Sequence, residues 1–177
     1  MAKVRVAAIG VGNCTNSLVQ GRYYYENFKV TKEEIIPGLM HPVLGGYKVS
    51  DIETVIAFDV DARKVGKDLS DAIWAKPNCT VKFTDVPQTG VNVLMGPVLD
   101  GVSENLKRYV EISNEKPIAE IDKVAKIFKD NKVDVIVINL PTASEKAAWF
   151  YAEAALKARV GIVNGIPVLI ANNKDFA

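Results

Sequence analysis

An α/β fold carried on a doubly wound parallel sheet is predicted by three stretches of the chain. The first is an apolar opening run, Val4, Val6, Ala7, Ala8 and Ile9, which breaks at Gly10-Val11-Gly12 and resumes from Asn13 as a polar-capped helical segment. The second is 52–60 (IETVIAFDV), a β-rich run that carries Asp59 near its end. The third is 133–140 (VDVIVINL), whose near-continuous Val and Ile suit a parallel strand covered on both faces.

The opening stretch carries the most chemistry. A buried strand, a tight glycine turn and a helix N-terminus, in that order, make a dinucleotide pyrophosphate site. Gly10 permits the sharp turn, and Gly12 lets backbone approach a phosphate with no Cβ in the way. The following helix, 13–25, aims unpaired N–H groups and its positive dipole end at the anion, with Leu18 and Val19 toward the sheet. Tyr23, Tyr24 and Tyr25 are consecutive, so one or two are expected to pack and the rest to lie at a surface.

Residues 26–50 follow neither helical nor strand periodicity. Pro37-Gly38, His41-Pro42 and Gly45-Gly46 mark them as loop, and long loops tend to be lids, partner contacts or interface segments. His41 is the only histidine and has no second histidine or cysteine nearby, which argues against a metal or acid–base role.

The strand at 52–60 places Asp59 where a dinucleotide fold uses a carboxylate for the adenosine ribose hydroxyls, favouring NAD over NADP. The usual separation from the glycine turn is about 20 residues, and the loop at 26–50 lengthens it here. Arg63 is the competing feature, a cation able to hold a 2′-phosphate. Val65, Leu69 and Ile73 give 61–73 helical spacing, with Asp68 and Asp71 as solvated carboxylates near one end.

Next, 81–83 reads as a short strand and 91–99 as a further strand broken at Gly96-Pro97. Asp100-Gly101 turns the chain into a polar stretch with Leu106, Tyr109 and Val110 on its apolar face. Ile121, Val124, Ala125 and Phe128 make 118–129 an amphipathic helix, and Asn131 lies where a positive-φ cap would fall.

Pro141 stops the strand at 133–140, and Thr142-Ala-Ser-Glu145 matches a capping box for the next helix. That helix buries Ala147, Phe150, Tyr151, Ala154, Ala155 and Ala158. Asn139, Thr142 and Ser144 therefore sit at the carboxyl end of a parallel strand, where open α/β sheets bind ligands. Tyr151 is either core or a ring or hydroxyl beside the cofactor. A fifth strand follows near 159–163, and Asn172-Asn173 looks like the cap of another helix.

Composition narrows the class. Across 177 residues, 22 Lys and Arg face 21 Asp and Glu, so no charge excess points to nucleic acid or a membrane surface. Hydrophobic residues make up 49%, enough for a substantial core. Cys14 and Cys79 lack metal-ligand spacing and read as reduced thiols of a cytoplasmic protein. No stretch has the apolar length of a signal peptide or a membrane span.

The strings VRVAAIGVGNC, SLVQG, PGLMHPVLGGY, AFDVDARKVGKDLSDAI, GPVLDG, VDVIVINLP, FYAEAALKA and NGIPVLIA occur in one order across almost the whole chain. In that order they resemble the NAD-binding part of prokaryotic-type myo-inositol-1-phosphate synthases. The resemblance implies a Rossmann-like domain over 1–177, its sheet incomplete and its loop inserted at 26–50. The family's second domain, for catalysis and oligomerisation, would be absent, and the full-length family is expected to be homo-oligomeric.

The activity so implied is an isomerase of inositol and phospholipid biosynthesis that converts glucose 6-phosphate to 1L-myo-inositol 1-phosphate. In it a bound NAD takes hydride from C5, enolisation at C6 allows aldol attack on C1, and the hydride returns. The resemblance places Gly10, Gly12, Asn13 and Cys14 at the pyrophosphate and Asp59 at the ribose. It places Asp68 on the cofactor side of the next helix, and Ser144 and Tyr151 at the nicotinamide side; Asn139 joins the cofactor set from its strand end. The family's lysines for the oxyanion and phosphate fall in segments that would follow Ala177, so the isolated chain is expected to show no turnover. The alternatives are a truncated NAD-binding paralogue without catalysis and an ordinary NAD-dependent dehydrogenase, and the motif string argues against the latter.

The chain also departs from the family's pattern. Thr15-Asn16 replaces Ala-Ser and Thr142-Ala143 replaces Val-Gly. Arg159 replaces a glycine at a helix C-cap, where a positive φ would cost roughly 1 kcal/mol.

Overall fold

The computed structural model describes residues 3–28 and 35–174. Its strands are β1 (Val4–Ile9), β2 (Ile52–Asp59), β3 (Val93–Met95), β4 (Val135–Ile138) and β5 (Gly161–Asn164). All pairings are parallel, in the order β3-β2-β1-β4-β5. The opening apolar run is the centre of the sheet because both its faces are buried. Ala7 and Ile9 turn to one side and Ala8 to the other.

On the first side, Ala7 and Ile9 join Phe58, Ile136 and Ile138 beneath α3 (Ile121–Asp130) and α4 (Glu145–Ala158). The alanines of α4 at 148, 152 and 155 are fully buried and bring that helix close to the sheet. On the second side, Ala8, Ala57 and Val93 pack under α1 (Asn13–Glu26) and the single turn of α2 (Leu69–Ala72). With helices on both faces and the winding reversing between β1 and β4, this is an open, doubly wound, Rossmann-like α/β fold.

Several local expectations give way to longer-range bonds. The helix expected over 61–73 shrinks to Leu69–Ala72, because the chain before it bonds to the β3 segment instead. Gly66 N–H donates to the Val93 carbonyl at 2.8 Å, and Val93 N–H to the Lys67 carbonyl at 2.9 Å. Residues 81–83 form no strand. Positive φ falls at Lys132 (49°) and not at Asn131 (−92°), although the Asn131 side chain does donate back to the Ile127 carbonyl at 2.9 Å.

The capping box at 142–145 does not form either. Ser144 takes the N-cap position without a side-chain bond, and the first-turn N–H groups of α4 go to a distant Asp100. Of the loop expected over 26–50, residues 29–34 lie outside the described residues; the rest holds the last residue of α1, one isolated bridge between Leu44 and Tyr47, and a 3-10 turn at Val49–Asp51. The helix expected after Asn172-Asn173 falls partly outside the described residues, and turns occupy 171–172 and 174.

The Thr15-Asn16 departure proves to be part of a buried polar stripe on α1. Thr15, Asn16 and Gln20 are completely buried, yet each is hydrogen-bonded. Thr15 Oγ1 donates to the Gly10 carbonyl, and Asn16 Nδ2 donates to the Ile73 carbonyl at 2.6 Å. Gln20 Nε2 donates to Asn16 Oδ1 and to the Val81 carbonyl, while its Oε1 accepts Phe83 N–H at 2.9 Å and Thr84 N–H at 3.3 Å. Gln20 thereby fastens the irregular 81–84 stretch to the helix.

Candidate functional site

A cleft of about 330 Å³ opens at the carboxyl ends of β1, β2 and β4, the switch point of the sheet. Gly10, Gly12, Asn13, Cys14, Asp59, Asn139 and Tyr151 all line it, so the structure brings seven of the nine expected site residues together. Asp68 and Ser144 are not among its lining residues.

The two glycines of the turn have different physical reasons. Gly10 sits at φ 90°, and a Cβ there would lie 2.8 Å from the Asn139 carbonyl oxygen, so both conformation and packing demand glycine. Gly12 has an ordinary φ of −93°, and a Cβ there would meet nothing within 4 Å. What the missing side chain preserves at Gly12 is an open approach to the α1 N-terminus. No side chain caps that terminus, so its dipole and first-turn N–H groups suit an anion.

Asp59 is a built element of the turn. Its Oδ2 accepts Val11 N–H at 2.7 Å, and its Oδ1 accepts Val60 N–H at 2.7 Å and Asp61 N–H at 2.9 Å. A carboxylate offers about four lone-pair positions. Three are occupied, so Oδ2 keeps one acceptor position. Lys64, itself buried, brings its ammonium within 3.7 Å of Asp59 Oδ2 and 3.2 Å of Asn78 Oδ1. Asn78 in turn donates to the Val11 carbonyl at 3.0 Å, so the glycine turn is held from both sides.

Arg63 is committed elsewhere. Its Nε donates to Asp61 Oδ1 at 2.8 Å, and a terminal nitrogen reaches both Asp61 Oδ2 and the Tyr109 carbonyl. The bidentate bond to Asp61, a carboxylate that is itself buried, raises the Arg63 pKa and keeps the guanidinium charged.

The remaining site residues divide by burial. Asn13 and Cys14 are exposed at the start of α1. The Asn13 amide oxygen accepts Cys79 N–H at 2.8 Å and Thr80 Oγ1–H at 2.9 Å, which seats the 78–80 segment beside the turn. Asn139 Nδ2 donates to Thr15 Oγ1 at 3.2 Å. Tyr151 is almost completely buried, with its ring 5.4 Å from that of Phe58 and its hydroxyl against Gly96. Burial, with the Asp59 charge added, pushes the phenol far above its usual range, so Tyr151 stays a neutral donor.

Asp68 stands outside the cleft as the N-cap of α2. Its carboxylate accepts Ser70 N–H, Thr89 N–H and Thr89 Oγ1–H, and Gly90 N–H. Burial pushes its pKa up, but the Ser70 and Thr89 donors outweigh it and hold the group down at about 2. Ser144 is 1% exposed with an unpartnered Oγ.

Sequence reasoning passed over Lys64, Asn78 and Asp100. Lys64 stood inside the AFDVDARKVGKDLSDAI string without a role of its own, and Asn78 lay outside every motif. Asp100 stood inside the GPVLDG string without a role of its own.

No family model matches the chain. Inositol-3-phosphate synthase of Corynebacterium glutamicum is 49% identical over 98% of this chain and 46% of its own length. The Mycolicibacterium smegmatis protein of the same name is 47% identical over 99% of the chain and 47% of its own length.

The chain is a homologue of the inositol-3-phosphate synthases.

It spans about half the length of these curated relatives. Among solved structures, the synthase homologue superposes on the crystal structure of Ari2 with a TM-score of 0.81 and 30% identity, over 98% of this chain and 50% of that one. It also superposes on a myo-inositol-1-phosphate synthase-related protein from Thermotoga maritima with a TM-score of 0.71 and 26% identity, again over 98% and 50%. Among the described residues of this synthase homologue, no helix is long and apolar enough to cross a membrane.

Proposed function

We propose that the cleft binds NAD and that this chain, with its loop inserted at 26–50, is the cofactor-binding domain of an inositol phosphate synthase acting on glucose 6-phosphate. One observation carries the reading: an uncapped helix N-terminus opens onto empty space at Gly12, with Asp59 fixed beside it. The α1 N–H groups take the pyrophosphate. The spare Oδ2 position of Asp59 takes a ribose hydroxyl, and Lys64 beside it limits the repulsion between that carboxylate and the pyrophosphate. Arg63 is spent on Asp61 and Tyr109, which favours NAD over NADP.

When bound, NAD supplies the reversible hydride transfer that lets glucose 6-phosphate close to 1L-myo-inositol 1-phosphate without net oxidation. The chain's own residues position that chemistry. Asn139 and the neutral Tyr151 hydroxyl present donors at the nicotinamide end. The lysines that would serve the oxyanion and phosphate, and the surfaces for subunit assembly, would have to come from outside these 177 residues. The route served is inositol and inositol-phospholipid synthesis, in the cytoplasm.

A second reading, NAD binding without catalysis, rests on Lys64. This lysine of the cleft wall is tied to Asp59 and Asn78. Titration calorimetry tests the shared claim. NAD should bind at a single site, with NADP at least about tenfold weaker; no binding at millimolar NAD would sink it. Product formation from glucose 6-phosphate by this chain alone would overturn the division of labour.

A further inference from the structure

Residues 97–113 form a strap across the cleft. Pro97, Val98, Gly101, Val102, Leu106 and Val110 line the cleft from it. The strap has only turns and single bridges, so its own backbone bonds hold it weakly. It is fastened at two ends. At the β2 end, Arg63 donates to the Tyr109 carbonyl, Ala62 N–H to the Glu111 carbonyl at 2.7 Å, and Ser113 N–H to the Val60 carbonyl at 2.9 Å. At the α4 end one side chain makes the attachment: Asp100 Oδ2 accepts Lys146 N–H at 2.7 Å and Oδ1 accepts Ala147 N–H at 2.9 Å.

Two features mark the α4 end as the one that opens. Leu99, next to Asp100, holds a φ of 43°, in the left-handed region that non-glycine residues disfavour. Ser144, at the N-cap, is buried with its hydroxyl unpartnered, although a serine there ordinarily accepts the first-turn N–H groups that Asp100 has taken. The helix therefore carries two caps, one engaged and one in reserve. Releasing Asp100 costs α4 little, because Ser144 stands ready to take its place.

We propose that the strap is a cofactor-retaining flap latched by Asp100 on the α4 N-terminus, with Ser144 as the cap that takes over when it opens. Asp100 is then a positioning residue that sets how long the cofactor stays, a statement that rests on the reading of the cleft as an NAD site.

Hydrogen–deuterium exchange and stopped-flow release of NADH from the full 177-residue chain test this. Asp100→Ala should raise exchange across 101–110 by about tenfold or more while β1 and β4 amides stay unchanged. NADH release should speed by a similar factor, with Asp100→Asn, which keeps one carbonyl acceptor, in between. The first-turn amides of α4 should remain protected in Asp100→Ala and lose protection in Asp100→Ala/Ser144→Ala. Strap exchange unchanged, or a uniform rise across the sheet, overturns the latch. NADH release unchanged in a variant whose strap has loosened overturns its link to retention. If the unaltered chain retains no NADH, the cofactor reading fails, and the exchange pattern alone decides the latch.

Discussion

Ala143 and Arg159 hold left-handed backbone, at φ of 72° and 60°, at the two places where the resembled family carries glycine. A Cβ in that region crowds its own carbonyl at a cost of 1–2 kcal/mol, partly offset because glycine loses more entropy on folding. Ala143→Gly and Arg159→Gly should therefore each stabilise the fold by about 1 kcal/mol in urea denaturation. Destabilisation by either would mean that its side chain makes contacts worth more than the strain. Arg159 was legible only through the resemblance, which sets a glycine at that C-cap. Gly10 was legible from the residues themselves, since a glycine between a strand and a helix announces a turn. Gln20 was not. A glutamine on a helix reads as solvated, and only the fold shows it buried against Val81, Phe83 and Thr84.

That side chain decides how one element is held to another. Replacing Gln20 with Leu adds apolar burial worth about 1.5–3 kcal/mol. It also strands the buried Asn16 Oδ1, at about 1–3 kcal/mol, and removes the part-buried bonds to the Val81 carbonyl and to Phe83 and Thr84 N–H, each worth about 0.5–1.5 kcal/mol net. The losses outweigh the gain, so Gln20→Leu should destabilise the chain by about 2 kcal/mol or more, with exchange rising first in 81–84. A neutral or stabilising result would mean that the stripe is dispensable.

Asp68 plays a comparable part for α2 and the Thr89-Gly90 turn. Its folded pKa of about 2 lies below the roughly 3.9 expected of an unfolded aspartate. Its contribution, on the order of 2 kcal/mol, is thus fully present above about pH 4 and is lost as pH falls toward 2. Asp68→Asn should lower stability at pH 7 and flatten the acid limb between those values. An unchanged acid limb would contradict the assignment. The sequence could show only the local part of this role, at Ser70, because the other donors lie 21 and 22 residues away at Thr89 and Gly90. The same holds for α4, whose local capping box loses to a carboxylate 46 residues distant. Helices defined by apolar period were readable from local pattern. Caps supplied across the fold were not.

At the scale of the whole molecule, the parallel sheet and its winding on both faces follow from three apolar runs and one glycine turn, while the strand order β3-β2-β1-β4-β5 is visible only in the fold. Seven of the nine expected site residues line the cleft, because residues at the carboxyl ends of parallel strands must converge at the switch point. The strap at 97–113 escaped, since its helix-like apolar spacing at Leu106, Tyr109 and Val110 is satisfied by turns fastened to Arg63 and Asp100. The account stands on the claim that this convergence is an NAD site organised by Asp59. Calorimetric titration of the chain with NAD, beside Asp59→Ser, tests it most directly. The account predicts saturable binding that Asp59→Ser weakens by about tenfold or more, with the fold intact by circular dichroism. Equal affinity in both proteins, or no binding to either at millimolar NAD, would contradict it.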